Sequence, residues 1–251
     1  EMTRLDPFVL RANSRRFVIP WIAEGIAHLF GSDREDLAAV YFWIDFLCLY
    51  FSLLLLYFYF QTWLDAGTSL FGISYVGLTL VTTYHLHWFH PWDRPVFLLW
   101  LATAILVRNR KVGAYLIVLA LALLTKFTAA LLPLFFVLVY LEDRSELRKA
   151  RFYLILLAQA AVILACHLLL DRIALVSGSE LAGSYLTMIG KVVDENIRRF
   201  SLHKLTHPAV LTFGLPLLLI AVGWKRLDHY MKSSVVFAVL FLAFHFGLSY
   251  F

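Results

Sequence analysis

The sequence predicts an all-α fold: a polytopic integral membrane protein with about eight transmembrane helices and interfacial helices on its exoplasmic side. Three observations carry this. Of the 251 residues, 61% are hydrophobic and 16% are charged, against about 25% charged in ordinary soluble domains. A soluble domain of this size cannot hide that much apolar surface, whereas lipid lets apolar side chains face outward. Apolar runs recur along the chain between short charged turns, and many Trp and Tyr residues stand at the ends of those runs, where amphipathic rings anchor.

Residues 1–36 read as an exoplasmic loop carrying an interfacial helix. In the stretch 17–30, Trp21, Ile22, Ile26 and Leu29 can share one face of a helix resting at the membrane surface. Residues 37–170 hold six spans, at 37–61, 68–84, 95–107, 112–125, 127–141 and 152–170. Residues 171–207 form a second exoplasmic loop. Its stretch 186–200 is amphipathic, with Met188, Ile189, Val192, Val193 and Ile197 opposed to Asp194, Glu195, Arg198 and Arg199. Residues 208–251 supply two more spans, at 208–224 and 233–251. The third, fourth and fifth spans are shorter than the roughly 20 residues of a full crossing, which suits helices ending beneath a recessed polar cavity. The chain begins at Glu1 and ends in an apolar run at Phe251, so it reads as part of a longer protein with at least one helix before it.

Positive charge orients the chain. One set of alternate loops carries Arg108, Arg110 and Lys111, then Arg144, Arg148, Lys149 and Arg151, then Lys225, Arg226 and Lys232. The short connections between them carry Arg94 and Lys126 alone. Basic short loops stay cytoplasmic, so residues 1–36, 85–94, Lys126 and 171–207 gather on the exoplasmic face. The net charge of +5 is read by this placement and not as a nucleic-acid surface. Cys48 and Cys166 lie inside apolar runs, without metal spacing or a disulfide framework. The sequence holds no Walker loop, GxSxG or HExxH. ATP hydrolysis and serine-hydrolase chemistry have no support.

The densest polar cluster runs from Tyr84 to Arg94 and includes His85, His87, His90 and Asp93. These groups could contact a phosphate, move protons or bind a metal; the competing reading is a half-wet aromatic belt. Lys126 interrupts two apolar runs. A lysine there is costly and often functional, although snorkelling to headgroups is the alternative. Asp6 lies near Arg11, Arg15 and Arg16, as a general base beside an anion site would, or as an ordinary solvated loop does. Asp45 stands within the first span and reads as a polar contact between helices. His167 and His245 lie inside spans; lone histidines facing neighbouring helices are commoner than haem ligands.

Several stretches taken together resemble the GT-C superfamily of polytopic membrane glycosyltransferases. They are Arg4-Leu5-Asp6-Pro7, the basic stretch Arg15-Arg16 leading to Pro20, the turn His90-Pro91-Trp92-Asp93-Arg94-Pro95, the basic turn Arg108-Asn109-Arg110-Lys111, and Leu123-Leu124-Thr125-Lys126-Phe127-Thr128. The likeness covers residues 1–141 and its motifs are loose. It implies transfer of a sugar from a polyprenyl-phosphate donor on the exoplasmic face, in a bacterial inner membrane. Asp6 matches by location the acid that inverting members use to activate the acceptor, and Asp93 matches a second acid. Lys126, with a nearby arginine, matches donor-phosphate contacts. On this reading Asp6 and Asp93 are catalytic, and Lys126, Arg94, His90, His85, His87, Arg15 and Arg16 bind substrate. Some members need a divalent metal, for which the resemblance assigns no ligands here. The chain departs from the pattern in having no clear pair of acids near Asp6. Two other readings stand beside this one. The first is a non-catalytic subunit of a membrane complex, packing against protein, lipid or pigment. The second is a transporter, which would usually show repeats that this sequence lacks.

Overall fold

The computed structural model describes residues 18–30, 36–86, 92–142, 144–176, 218 and 220–248. These form helices, with no strand among them: α1 Val18–Leu29, α2 Asp36–Phe60, α3 Ala66–Leu86, α4 Asp93–Arg108, α5 Val112–Thr125, a 3₁₀ turn Phe127–Leu131, α6 Leu132–Tyr140, α7 Arg144–Leu147, α8 Ala150–Val176, a 3₁₀ turn Trp224–Arg226 and α9 His229–Leu248. They fall into two compact units. One holds α1 to α5 and most of α8; the other holds most of α6, α7 and α9.

The first unit is packed inside-out relative to a soluble bundle. On α2 the buried positions are Asp45, Ser52 and Leu56, spaced so that they share one face. The opposite face exposes Trp43, Leu47, Tyr50, Leu54 and Phe58. On α8, Ile155, Gln159, Cys166 and Leu170 turn inward while Leu154, Leu157, Leu164 and Leu168 face out. Two stretches, Leu37–Phe60 and Ala150–Ile173, are long and apolar enough to cross a bilayer, and only 17% and 22% of them are buried. A soluble core helix of that hydropathy would be mostly buried; outward apolar faces need lipid.

α2 packs on α3 and α4, α4 on α5, and α1 on α2 and α5. α1 buries Ile19, Ala23 and Ala27, mostly small residues, while Trp21, Ile22 and Leu29 stay exposed. An apolar face of α1 is thus turned outward, with Ile26 at its edge. α3 closes on α2 at Gly72, where an added Cβ would lie 2.9 Å from the Phe60 ring. α4 and α5 form a tight antiparallel hairpin. The Lys111 N–H donates to the Leu106 carbonyl and the Arg110 N–H to Val107, with Arg110 in the left-handed region at φ 57°. This is a Schellman ending built on arginine in place of the usual glycine.

Side-chain contacts set helix directions. Arg94 pairs with Asp45, and the Arg108 guanidinium donates to the Thr62 hydroxyl and lies 3.6 Å from the Trp63 ring centroid. Both ends of α4 are therefore fastened to α2 and the segment after it, and the two helices run parallel. Likewise the Tyr115 hydroxyl donates to Gln159 Oε1 at 3.0 Å, and the Cys166 thiol faces the Ala120 carbonyl at 3.9 Å. α5 and α8 are parallel too. In the second unit, the Leu138 carbonyl near the end of α6 meets His229 Nε2 at 2.9 Å and the Ser233 hydroxyl at 3.0 Å, which satisfies a helix-terminal acceptor. Phe135 packs on Tyr230 and Phe237.

Several boundaries differ from the sequence expectation. The second span extends to Leu86, so His85 lies in α3 and not in a connection. The fifth is divided, a 3₁₀ turn at Phe127–Leu131 preceding α6. α8 continues to Val176, which places Asp171 on a helix. Each extension crosses polar residues that hydropathy treats as an end but that a helix tolerates in its last turns. Most of the expected seventh span lies outside the described residues.

Asp65 caps α3. Its carboxylate accepts from the Thr68 N–H at 2.9 Å and the Thr68 hydroxyl at 2.6 Å, and these bonds hold it below the ordinary carboxylate range. The depressed carboxyl adds stability that is complete above the usual aspartate range and is lost as pH falls through its own midpoint. In acid titration followed by the carboxyl carbon resonance, Asp65 titrates below a reference aspartate, and Asp65→Ala removes that part of the acid sensitivity.

Candidate functional site

The site lies where α4 begins and α5 ends. The hairpin makes these two termini neighbours. Trp92, almost fully buried, is the N-cap of α4, and the Val96 N–H donates to its carbonyl at 3.0 Å. Pro95 falls in the first turn, where a missing N–H is no loss. This sets Asp93 as the first helical residue, at the positive end of the α4 dipole. Lys126 is the C-cap of α5, at the negative end of that dipole. Its backbone is extended, φ −155° and ψ 118°. One residue thus separates α5 from the 3₁₀ turn. The Lys126 N–H donates back to Ala122 at 2.8 Å, and its carbonyl accepts from Ala129 at 3.0 Å, so the break leaves neither backbone group orphaned.

Across this break the Lys126 ammonium donates to Asp93 Oδ1 at 2.8 Å. Both side chains are about a fifth exposed, 21% and 23%. Arg94, the next residue, points to Asp45 on α2. Asp45 is only 4% exposed. Two acids and two bases from three helices thus meet at one end of the unit, and their charges cancel. Arg108, Arg110 and Lys111 stand at the other end of the same hairpin.

Of the residues singled out from sequence, Asp93, Arg94 and Lys126 come together. Asp6, Arg15, Arg16, His87 and His90 lie outside the described residues, as do Glu1 and residues 186–200. His85 is on α3, and its side chain is also outside them. Asp45 is an inter-helix contact, as expected, but its partner is a site arginine. Sequence reasoning missed the His167–Asp171 pair on α8, at 3.3 Å, whose ring lies 5.5 Å from that of Phe127 beside Lys126. The i, i+4 spacing was the available signal. Among the described residues no three His, Cys, Asp or Glu side chains converge as metal ligands. Asp93, the described acid of the His-rich turn, has an ammonium as its partner and does not fit such a centre.

The family described as dolichyl-phosphate-mannose-protein mannosyltransferase matches residues 14–169. The chain belongs to that family. This places it in the GT-C glycosyltransferase superfamily of membrane proteins. The match covers most of the chain, including every residue of the Asp45–Arg94–Asp93–Lys126 cluster. Neither the curated proteins nor the solved structures provide a match. Charges among apolar helices often mark where a membrane protein acts, which makes the cluster the site candidate.

The Asp93–Lys126 pair couples its two members. Asp93→Ala and Lys126→Ala each lower the thermal unfolding midpoint in detergent. The double replacement lowers it by less than their sum, with a coupling on the order of 1 kcal/mol. Simple additivity of the two losses would show that the pair contributes nothing to the fold.

Proposed function

We propose that the protein transfers a sugar from a polyprenyl-phosphate donor to an acceptor hydroxyl at the outer face of the membrane, with Asp93 as general base and Lys126 and Arg94 as donor-phosphate ligands. The observation that carries this reading is the Lys126–Asp93 contact of 2.8 Å at the break after α5, in a chain of this family.

The chemistry suits these groups. The bond between the sugar's anomeric carbon and the phosphate oxygen breaks, and the phosphate leaves with the electron pair. The acceptor oxygen forms the new bond, and its proton passes to a carboxylate. Cations aimed at the departing phosphate stabilise the charge that develops on it. In the resting arrangement Asp93 is engaged by Lys126. A donor phosphate competes for the ammonium and frees the carboxylate to accept the proton. Base and donor are then available together.

Helix geometry supports a recessed, laterally open site. α4 has 16 residues and is about 24 Å long, against a hydrocarbon core of about 30 Å. Asp45 lies about 13 Å along α2 from Asp36. Both lengths favour a cluster below the membrane surface, within reach of a lipid-borne phosphate. The directions found for α2 with α4, and for α5 with α8, are those that alternating crossings require of the first with the third span and the fourth with the sixth. This supports the eight-span arrangement, with residues 85–94, Lys126 and the long loops 1–36 and 171–207 outside and the basic turns inside a bacterial inner membrane. On that topology Asp6, Arg15, Arg16, His85, His87 and His90 share the outer face with the cluster. Asp6 is then a second carboxylate for the acceptor, and the arginines and histidines are further donor contacts.

With native lipid extract as donor source, Asp93→Asn lowers the turnover number for sugar transfer about 100-fold or more and leaves the donor KM near that of the unchanged protein. Wild-type turnover by this variant would remove Asp93 from the reaction.

A further inference from the structure

Two polar side chains on the inward face of α2 have no task in the proposed reaction. Asp45 is 4% exposed and turns Oδ2 to Arg94. Its other oxygen, Oδ1, is buried without a hydrogen-bond partner among the described residues. Tyr41 stands one turn away on the same face, and its hydroxyl is likewise buried without a partner among them. Glu24, half-buried on α1, lies within electrostatic reach of that hydroxyl. A buried polar atom left unmatched is destabilising, and lipid supplies no partner.

The chemistry of these groups defines what satisfies them. A carboxylate only accepts, whereas a phenol hydroxyl donates and accepts. A partner for both carries hydroxyls. It is also uncharged at that point, since Asp45 and Glu24 repel a phosphate. Tyr41 and Asp45 are about 6 Å apart along the α2 axis, a span that one sugar ring bridges with hydroxyls on two sides. Because α2 and α4 run parallel, Tyr41 lies outward of the Asp45–Arg94 contact, at the end where α4 starts and Asp93 meets Lys126. α1 packs on α2 and α5 and buries only Ile19, Ala23 and Ala27, so it gives up little apolar contact when it lifts.

We propose that the face of α2 bearing Tyr41 and Asp45, covered by α1 with its Glu24, is the subsite for the sugar of the lipid donor: Asp45 Oδ1 and Glu24 accept from its hydroxyls, and the Tyr41 hydroxyl bonds a third. This rests on the reading of Lys126 as a donor-phosphate ligand and adds the groups that recognise the sugar. Asp45 keeps Oδ2 on Arg94 throughout, so the subsite asks nothing of the guanidinium. It also makes a prediction of opposite sign to plain electrostatics. Glu24 is an anion near an anion site, so removing its charge should by repulsion alone strengthen binding of any lipid phosphate. If Glu24 holds the sugar, removing it weakens binding of the sugar-bearing lipid.

The test uses the purified full chain in lipid nanodiscs, with binding followed by calorimetry. The probes are the mannosyl, glucosyl and galactosyl esters of dodecyl phosphate, with methyl dodecyl phosphate as the sugar-free control of equal charge. At least one sugar ester binds about tenfold tighter than the control, as two or three added hydrogen bonds allow. Tyr41→Phe weakens that ester about fivefold, the worth of one hydrogen bond, and leaves the control unchanged. Glu24→Gln weakens the same ester about fivefold and does not weaken the control. Equal effects on ester and control, or none (the outcome if these oxygens hold only water), overturn the sugar subsite, and the phosphate reading stands if Lys126→Ala still weakens both probes. Wild-type binding of the control by Lys126→Ala overturns the phosphate reading, and the subsite with it. Should Tyr41→Phe not fold, Glu24→Gln carries the test: ester binding as tight as wild type or tighter contradicts the subsite.

Discussion

A lysine that interrupts an apolar run in a membrane protein must reach water or find an anion, since a bare ammonium at that depth is costly, by about 2.5–3.5 kcal/mol on insertion scales. Lys126 has an anion: Asp93, at 2.8 Å. The pair depends on two helix ends being neighbours, and the Schellman turn between α4 and α5 makes them so. Each member also sits at the dipole end that favours its charge. The break in the helix, the hairpin and the ion pair are thus one arrangement, and the rest of the unit is placed around it.

The second fastening lies on α2. Arg94 and Arg108, at the two ends of α4, reach Asp45 and the Thr62–Trp63 corner. α2 can offer a carboxylate inward because its large apolar side chains face outward, where lipid is the solvent. In water the same helix would turn its aromatic face in and its aspartate out. The membrane therefore does more than house the chain: it decides which face of α2 meets α4, and so which groups can form a site.

Helices were legible in the sequence because apolar runs are local. The expected span 112–125 coincides with α5, and the interfacial stretch with α1. The boundaries that moved are those where a helix continues through polar residues, as at His85 and Asp171, or where an apolar run changes its winding, as at Phe127. Lys126 and Asp93 were both legible as unusual charges, and the family likeness joined them. The partnership of Asp45 with Arg94 was not legible. The two residues lie on separate helices, and no local pattern records which inward face meets which. Asp6, Arg15, Arg16, His87 and His90 fall outside the described residues, so their relation to the cluster rests on the sequence.

On the proposed function, the charges at the α4–α5 break receive a lipid-borne phosphate. An experimental structure of the chain in a nanodisc with dodecyl phosphate tests it most directly. The phosphorus is expected within hydrogen-bonding reach of Lys126 and Arg94, with the Asp93 carboxylate detached from the ammonium and Asp45 still on the guanidinium. A phosphate seated at Arg108, Arg110 and Lys111 instead, with Asp93 and Lys126 still joined, would contradict it.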